Sequence, residues 1–314
     1  MKKTTPKFWL VTFASVALLS LSGCGKQEPV ATAQTETAVN DTRETLESAA
    51  DDGSVAEFIA SMRERASANV TPQPLSTLVQ EIAPHLRWYQ PESDGQHPVL
   101  IFMHGCSGAT LSHEEDWAAR VNSAGVSLLA VDSYGGRGLE WEEVCNFEKM
   151  TPWQRSGDVH ASIAYLAEQP NVDMDNIYLA GFSHGAMSVW AFLEQASSLS
   201  PSIGLQAWPE TNLAAVKAAF MFYGGCAEPW TVDIDAYVFL GGADRYIEPD
   251  VCEPYQAIHS PEAGELKVVV YPEATHTFDH SRPNQANVEA GSLYDAAATE
   301  DVWRIMSGVF SSHQ

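Results

Sequence analysis

The chain has 314 residues and a formal net charge of −24. An acid excess this large repels nucleic-acid phosphates, which excludes a nucleic-acid partner. Hydrophobic residues make up 45% of the chain, so a full core can form without metal or disulfide support.

In chain order, MKKTTPKFWLVTFASVALLSLSG comes first. A basic start followed by an apolar run predicts a signal peptide over 1–23. The run closes in Leu21-Ser22-Gly23-Cys24, which resembles a bacterial lipobox. That resemblance implies acylation of Cys24, a lipid bilayer as partner, and a bacterial cell-envelope location. Gly25 follows rather than Asp, which resembles the outer-membrane pattern, with the protein facing the periplasm. An ordinary cleaved signal or a short membrane anchor is the alternative. Residues 24–52 are small and polar and predict a flexible tether. One domain is expected over 53–314, led in by weak helical patterning at 53–82.

From residue 97 the pattern alternates. HPVLIFMHG (97–105) predicts a buried strand, and HEEDWAARVNSAG (113–125) a helix stopped by glycine. VSLLAVDS (126–133) is a second strand, RSGDVHASIAYLAEQP (155–170) a helix, and NIYLAGFS (176–183) a strand running into the helix HGAMSVWAFLEQA (184–196). Further strands follow at 216–225, at 236–244 and within 265–276, with a last helix at 299–312. Buried strands alternating with helices give an α/β class: a mostly parallel central sheet covered by helices on both faces. Such sheets bind ligands at the carboxyl ends of their strands. His104, Asp132, Ser183, Cys226, Asp244 and His276 all follow apolar strand segments.

GFSHGA (181–186) holds the pattern G-x-S-x-G between a strand and a helix, the context that the nucleophile-elbow motif requires. Glycines on both sides allow a tight turn that lifts the Ser183 hydroxyl to a helix N-terminus, where developing negative charge is favoured. A serine needs a base, and the base an orienting acid, in the chain order Ser, Asp, His. Asp244 in VFLGGADRYIEP and His276 in YPEATHTFD supply that order. His259 and His280 are rival bases; Asp235, Glu248 and Asp250 are rival acids. The loop His104-Gly105-Cys106-Ser107-Gly108 offers the second oxyanion donor, so the backbone N–H groups of Cys106 and His184 are the expected pair. Cys106 as a thiol nucleophile is a weaker reading, since it lacks the strand-turn-helix context. His104 is expected to bond within its loop. Tyr134, Arg137, Trp141, Trp153, Trp230 and Tyr246 fall in loops at the expected mouth. No clustered His, Asp or Glu spacing points to a metal, and no cofactor is called for.

Four cysteines remain after Cys24. Cys106 and Cys145 follow the first two strong strands, and Cys226 and Cys252 flank the acid strand. Pairs Cys106–Cys145 and Cys226–Cys252 would each join neighbouring loops, with free thiols as the alternative.

VLIFMHGCSG, VDSYGGRG, the long run from Arg155 to Ala186, FLGGADRYIEP and ATHTFD together resemble the dienelactone hydrolase family of the α/β-hydrolase superfamily, over about 97–312. The resemblance implies an α/β-hydrolase fold and the same three residues, Ser183, Asp244 and His276. Dienelactone hydrolases proper carry cysteine where this chain has Ser183, so the chain looks like the serine-using exported relatives. The expected activity is hydrolysis of a small or medium carboxylic ester through an acyl-enzyme. A peptidase or amidase on the same scaffold, or a binding lipoprotein of the envelope, are the alternatives.

Overall fold

The structure is a computed structural model, and it describes residues 61, 64, 70–209, 213–226, 230–256 and 263–313. Seven strands form one sheet: β1 (Leu86–Tyr89), β2 (His97–Met103), β3 (Ser127–Val131), β4 (Val172–Phe182), β5 (Val216–Phe222), β6 (Asp235–Gly241) and β7 (Leu266–Tyr271). Their order is β1-β3-β2-β4-β5-β6-β7. All neighbours are parallel except β1, which pairs antiparallel with β3 at the edge.

Period-two alternation sorts the strand side chains to two faces. Val99, Ile101 and Met103 of β2 join Leu129, Val131, Ile177 and Leu179 in one core. That face is covered by α1 (Leu75–Ile82), α4 (Pro152–Leu166) and α5 (His184–Ser198), which contribute Leu78, Val159 and Val189. Leu100, Phe102, Tyr178, Phe182, Phe220 and Phe222 form the other core. There α2 (Leu111–Ser123) and α8 (Ala296–Ser312) pack with Trp117, Val121, Val302, Met306 and Phe310. The short helices α3 (Trp141–Cys145), α6 (Glu253–Gln256) and α7 (Gln285–Glu289) lie in connections.

This is the α/β-hydrolase-like architecture expected. The helical patterning of the lead-in is realised in part, and several other element bounds differ from expectation. Within the lead-in, residues 75–82 form α1, and the unanticipated edge strand β1 follows it. The helix expected from 155 begins at Pro152, with Thr151 and Gln154 forming a reciprocal capping box.

The membrane assignments made from the N-terminal sequence do not stand. Among the described residues no helix is long and apolar enough to cross a membrane. Cys106, Cys145, Cys226 and Cys252 are bonded in pairs. The described chain is an α/β domain with a large apolar core on each face of its sheet. The signal and lipoprotein reading, the bilayer partner and the outer-membrane location are therefore withdrawn. The segment 1–23, Cys24 and the tether 24–52 lie outside the described residues.

Candidate active site

The chain reverses direction across the sheet between β3 and β4, so the carboxyl ends of adjacent β2 and β4 open a crevice. Ser183 stands at the end of β4 and caps α5. Its backbone is strained, with φ 52 and ψ −116, a conformation held by the surroundings. The flanking glycines are required by space. A Cβ on Gly181 would meet the backbone of Gly185 and Ala186, and one on Gly185 the carbonyls of Met103 and His104, all closer than 3.0 Å. The Ser183 N–H donates to Phe222 O at 2.9 Å, which ties the turn to β5.

His276 arrives from the loop after β7. Its Nε2 accepts from Ser183 Oγ at 3.0 Å, and its Nδ1–H donates to Asp244 Oδ2 at 2.7 Å. Asp244 follows β6, and its side chain is fully buried. Its second oxygen accepts the N–H groups of Tyr246 at 2.8 Å and Ile247 at 3.2 Å, so the carboxylate has little freedom to turn. Rings of Tyr223 and Tyr246 pack on the imidazole with centroids at 4.7 and 5.1 Å. The structure thus brings Ser183, Asp244 and His276 into one continuous hydrogen-bonded run.

The loop after β2 passes beside it. A Cβ built on Gly105 would lie 3.6 Å from Ser183 Cβ, which puts the Cys106 peptide next to the serine. Cys106 is bonded to Cys145 and Cys226 to Cys252. A thiol at Cys106 is therefore not available as a nucleophile.

Residues 86–314 match the dienelactone hydrolase family. The chain belongs to the dienelactone hydrolase family. Membership classes it as a carboxylic-ester hydrolase on the α/β-hydrolase fold. Among similar proteins is one from Synechocystis sp., provisionally named a carboxymethylenebutenolidase. It is 26% identical over 246 residues, covering 71% of this chain and 89% of that one. A Klebsiella pneumoniae structure provisionally named a dienelactone hydrolase shares the fold with TM-score 0.56 at 19% identity, over 72% of this chain and 92% of that one. A metagenomic dienelactone hydrolase-like promiscuous phosphotriesterase shares it with TM-score 0.52 at 18% identity, over 72% and 91%.

The other sequence-predicted residues of this dienelactone hydrolase family member fall partly at the site and partly away from it. The His184 ring is turned into the protein interior. It is buried, its Nε2–H donates to Met150 O at 3.2 Å, and burial beside Arg155 pushes its pKa down to about 3. His104 donates from Nδ1 to Gly105 O at 2.7 Å, the loop bond expected of it. Of the six mouth residues, Tyr246 packs on His276 and Tyr134 donates to Cys106 O at 2.9 Å. Arg137 is held by Glu81 and Asp158, Trp153 is buried near Glu194, and Trp230 is buried on Trp190. Trp141 opens α3. Asp235 accepts from Glu265 N at the opposite end of the sheet, and His259 lies outside the described residues.

His280 is buried beneath the site. Its ring stacks on His113 at 3.6 Å, and burial together with His113 pushes its pKa down to about 3. Beside it, Asp279 accepts from His113 Nε2–H at 2.7 Å, Trp117 Nε1–H at 2.7 Å and Tyr223 O–H at 2.9 Å. His113, Asp279 and His280 have metal-like spacing, with ligand atoms within 4.8 Å of one another. Both Asp279 oxygens are already taken by those three donors, so the cluster works as an anchor joining α2, β5 and the His276 loop. Asp279 closes the segment ATHTFD, in which sequence reasoning singles out only His276 and gives Asp279 no role.

Burial by itself would raise the Asp279 carboxyl, but the His113 charge and hydrogen bond, His280 and Trp117 hold it below the usual carboxylate range. A carboxylate depressed in the folded state contributes stability that is full above its unfolded value, about 3.9, and is lost as pH falls through the folded value. Asp279→Asn should cost about 2 kcal/mol at neutral pH and progressively less below about pH 4. The measurement is the gap in unfolding midpoint between variant and parent across pH 7 to 2; a gap independent of pH would contradict the assignment.

Proposed function

We propose that the chain hydrolyses small carboxylic esters through an acyl-enzyme on Ser183, with His276 as base and Asp244 as its orienting acid. The observation that carries this reading is the hydrogen-bonded run from Asp244 through His276 to the strained Ser183 at the crevice. Ser183 Oγ attacks the ester carbonyl while His276 Nε2 takes its proton. Asp244 keeps the proton on Nδ1 and stabilises the imidazolium. The N–H groups of Cys106 and His184 hold the negative oxygen of the tetrahedral intermediate. His276 then protonates the departing alcohol. Water enters, gives a proton to the same nitrogen and attacks the acyl carbonyl; collapse releases the acid and returns the proton to Ser183. The steps balance with ester and water alone.

A fluorophosphonate probe tests the reading, because only an activated serine reacts readily with it. Peptide mapping of the labelled protein should find the adduct on Ser183, and prior labelling should block turnover of p-nitrophenyl acetate. An active, unlabelled protein would reject Ser183 as nucleophile. Faster turnover of a matched anilide than of the ester would instead favour an amidase.

A further inference from the structure

Arg155, in the first turns of α4, is 0% exposed. The acids nearest to it are engaged by other arginines: Asp158 by Arg137 at 2.9 Å and Asp132 by Arg87 at 3.4 Å. Its Nη2 is buried with no hydrogen-bond partner among the described residues. Packing alone would favour an apolar side chain here, since a buried cation without a bonded carboxylate is strongly disfavoured.

The guanidinium's contacts converge on the oxyanion loops. Nη1–H donates to His184 Nδ1 at 3.3 Å, directly beneath one expected donor residue. Nε–H donates to Ser133 Oγ at 2.8 Å, and the Ser133 N–H donates to His104 Nε2 at 3.3 Å. The guanidinium also lies 5.7 Å from the Tyr134 ring centre, and Tyr134 O–H donates to the carbonyl of Cys106, the other expected donor residue. Burial pushes the pKa of both His104 and His184 down, and Arg155 pushes it further. The two imidazoles are therefore neutral, which leaves the guanidinium as the positive charge beside the oxyanion loops.

We propose that Arg155 is a positioning residue for the oxyanion: it locks the loops carrying the Cys106 and His184 N–H groups and supplies a positive charge behind them. The proposal rests on the serine-hydrolase reading above. A fixed charge in a water-poor site favours the state in which negative charge has developed, so its effect belongs in kcat rather than KM. The sequence hid this role, because Arg155 reads as one polar residue at the start of an amphipathic helix.

The test compares wild type with Arg155→Met, Arg155→Lys and Tyr134→Phe. Each is assayed for kcat and KM on p-nitrophenyl acetate and for inhibition by phenylboronic acid, whose serine adduct is a tetrahedral anion. Arg155→Met should lower kcat by about 100-fold with KM within about threefold, and weaken the boronate in step with kcat/KM. Arg155→Lys, which keeps the charge but loses the fork, should lose about tenfold. Tyr134→Phe should lose kcat in the same pattern to a smaller extent. A folded Arg155→Met with wild-type kcat and boronate affinity overturns the proposal, as does a rise in KM matched by an equal loss of boronate affinity at unchanged kcat. Should Arg155→Met fail to fold, the same split in Arg155→Lys and Tyr134→Phe decides: a joint loss supports it, wild-type values overturn it. Fluorophosphonate labelling of wild type separates the two readings. A wild type unlabelled at Ser183 removes the serine mechanism and this proposal together; a labelled wild type with unaffected variants removes only this proposal.

Discussion

Ser183→Ala should lower kcat on a small ester by about 10⁴- to 10⁶-fold, His276→Ala should do nearly the same, and the double variant should be no worse than either. The equality follows from geometry. Ser183 Oγ lies 3.0 Å from His276 Nε2, so the hydroxyl has no nearby base once the imidazole is gone. The imidazole in turn has no proton to take once the hydroxyl is gone. Such a pair acts as a unit, and its losses do not add. What survives should be catalysis by the backbone donors and by binding, roughly 10³- to 10⁴-fold over water. Neither substitution should disturb the fold: Ser183→Ala removes one oxygen, while the elbow is held by glycine spacing and by the Ser183 N–H bond to Phe222 O. Initial rates and single-turnover bursts on p-nitrophenyl acetate, with near-ultraviolet circular dichroism as a fold control, check this. Losses that multiplied in the double variant would mean the two residues act independently, against a shared proton.

The central part of the site was legible because it follows from local rules. G-x-S-x-G between strand and helix names the elbow, and the alternation of buried strands with helices names the sheet whose carboxyl edge collects Asp244 and His276. The bridge pairing was legible for the same reason, since each cysteine follows a strand at that edge. What escaped depends on contacts between distant segments. β1 pairs with β3 across some forty residues, and nothing within LRWY requires it. Arg155 and Asp279 differ from ordinary polar residues only in what surrounds them after folding. The direction of the His184 ring is likewise set by Met150 and Arg155. The membrane reading failed in the opposite way. It rested wholly on a terminal pattern, whereas no helix among the described residues is long and apolar enough to cross a membrane.

Reduction of the two disulfides should separate stability from activity. In the chain-entropy account, the Cys106–Cys145 bridge, with a sequence separation of 39, contributes about 4 kcal/mol, and Cys226–Cys252, with a separation of 26, about 3.5 kcal/mol. The two differ in access. Cys226 and Cys252 are 2% and 1% exposed, whereas Cys106 and Cys145 are only partly buried. Dithiothreitol under native conditions should therefore cut Cys106–Cys145 first, leaving the inner bridge until the fold opens. The outer bridge carries the peptide expected to hold the oxyanion and ties it to α3, so its loss frees that loop beside Ser183. Turnover should fall at this first cut, while the chain stays folded at 25 °C with a lowered unfolding midpoint. The inner bridge joins the loop after β5 to the segment beyond Asp244, behind the acid. Cys226→Ser/Cys252→Ser should therefore lower the midpoint by a similar amount while sparing kcat at 25 °C. Alkylation and mass mapping of partly reduced samples, assayed in parallel for ester turnover, decide the order. Full activity in a sample reduced only at Cys106 and Cys145 would show that the loop keeps its register without the bridge.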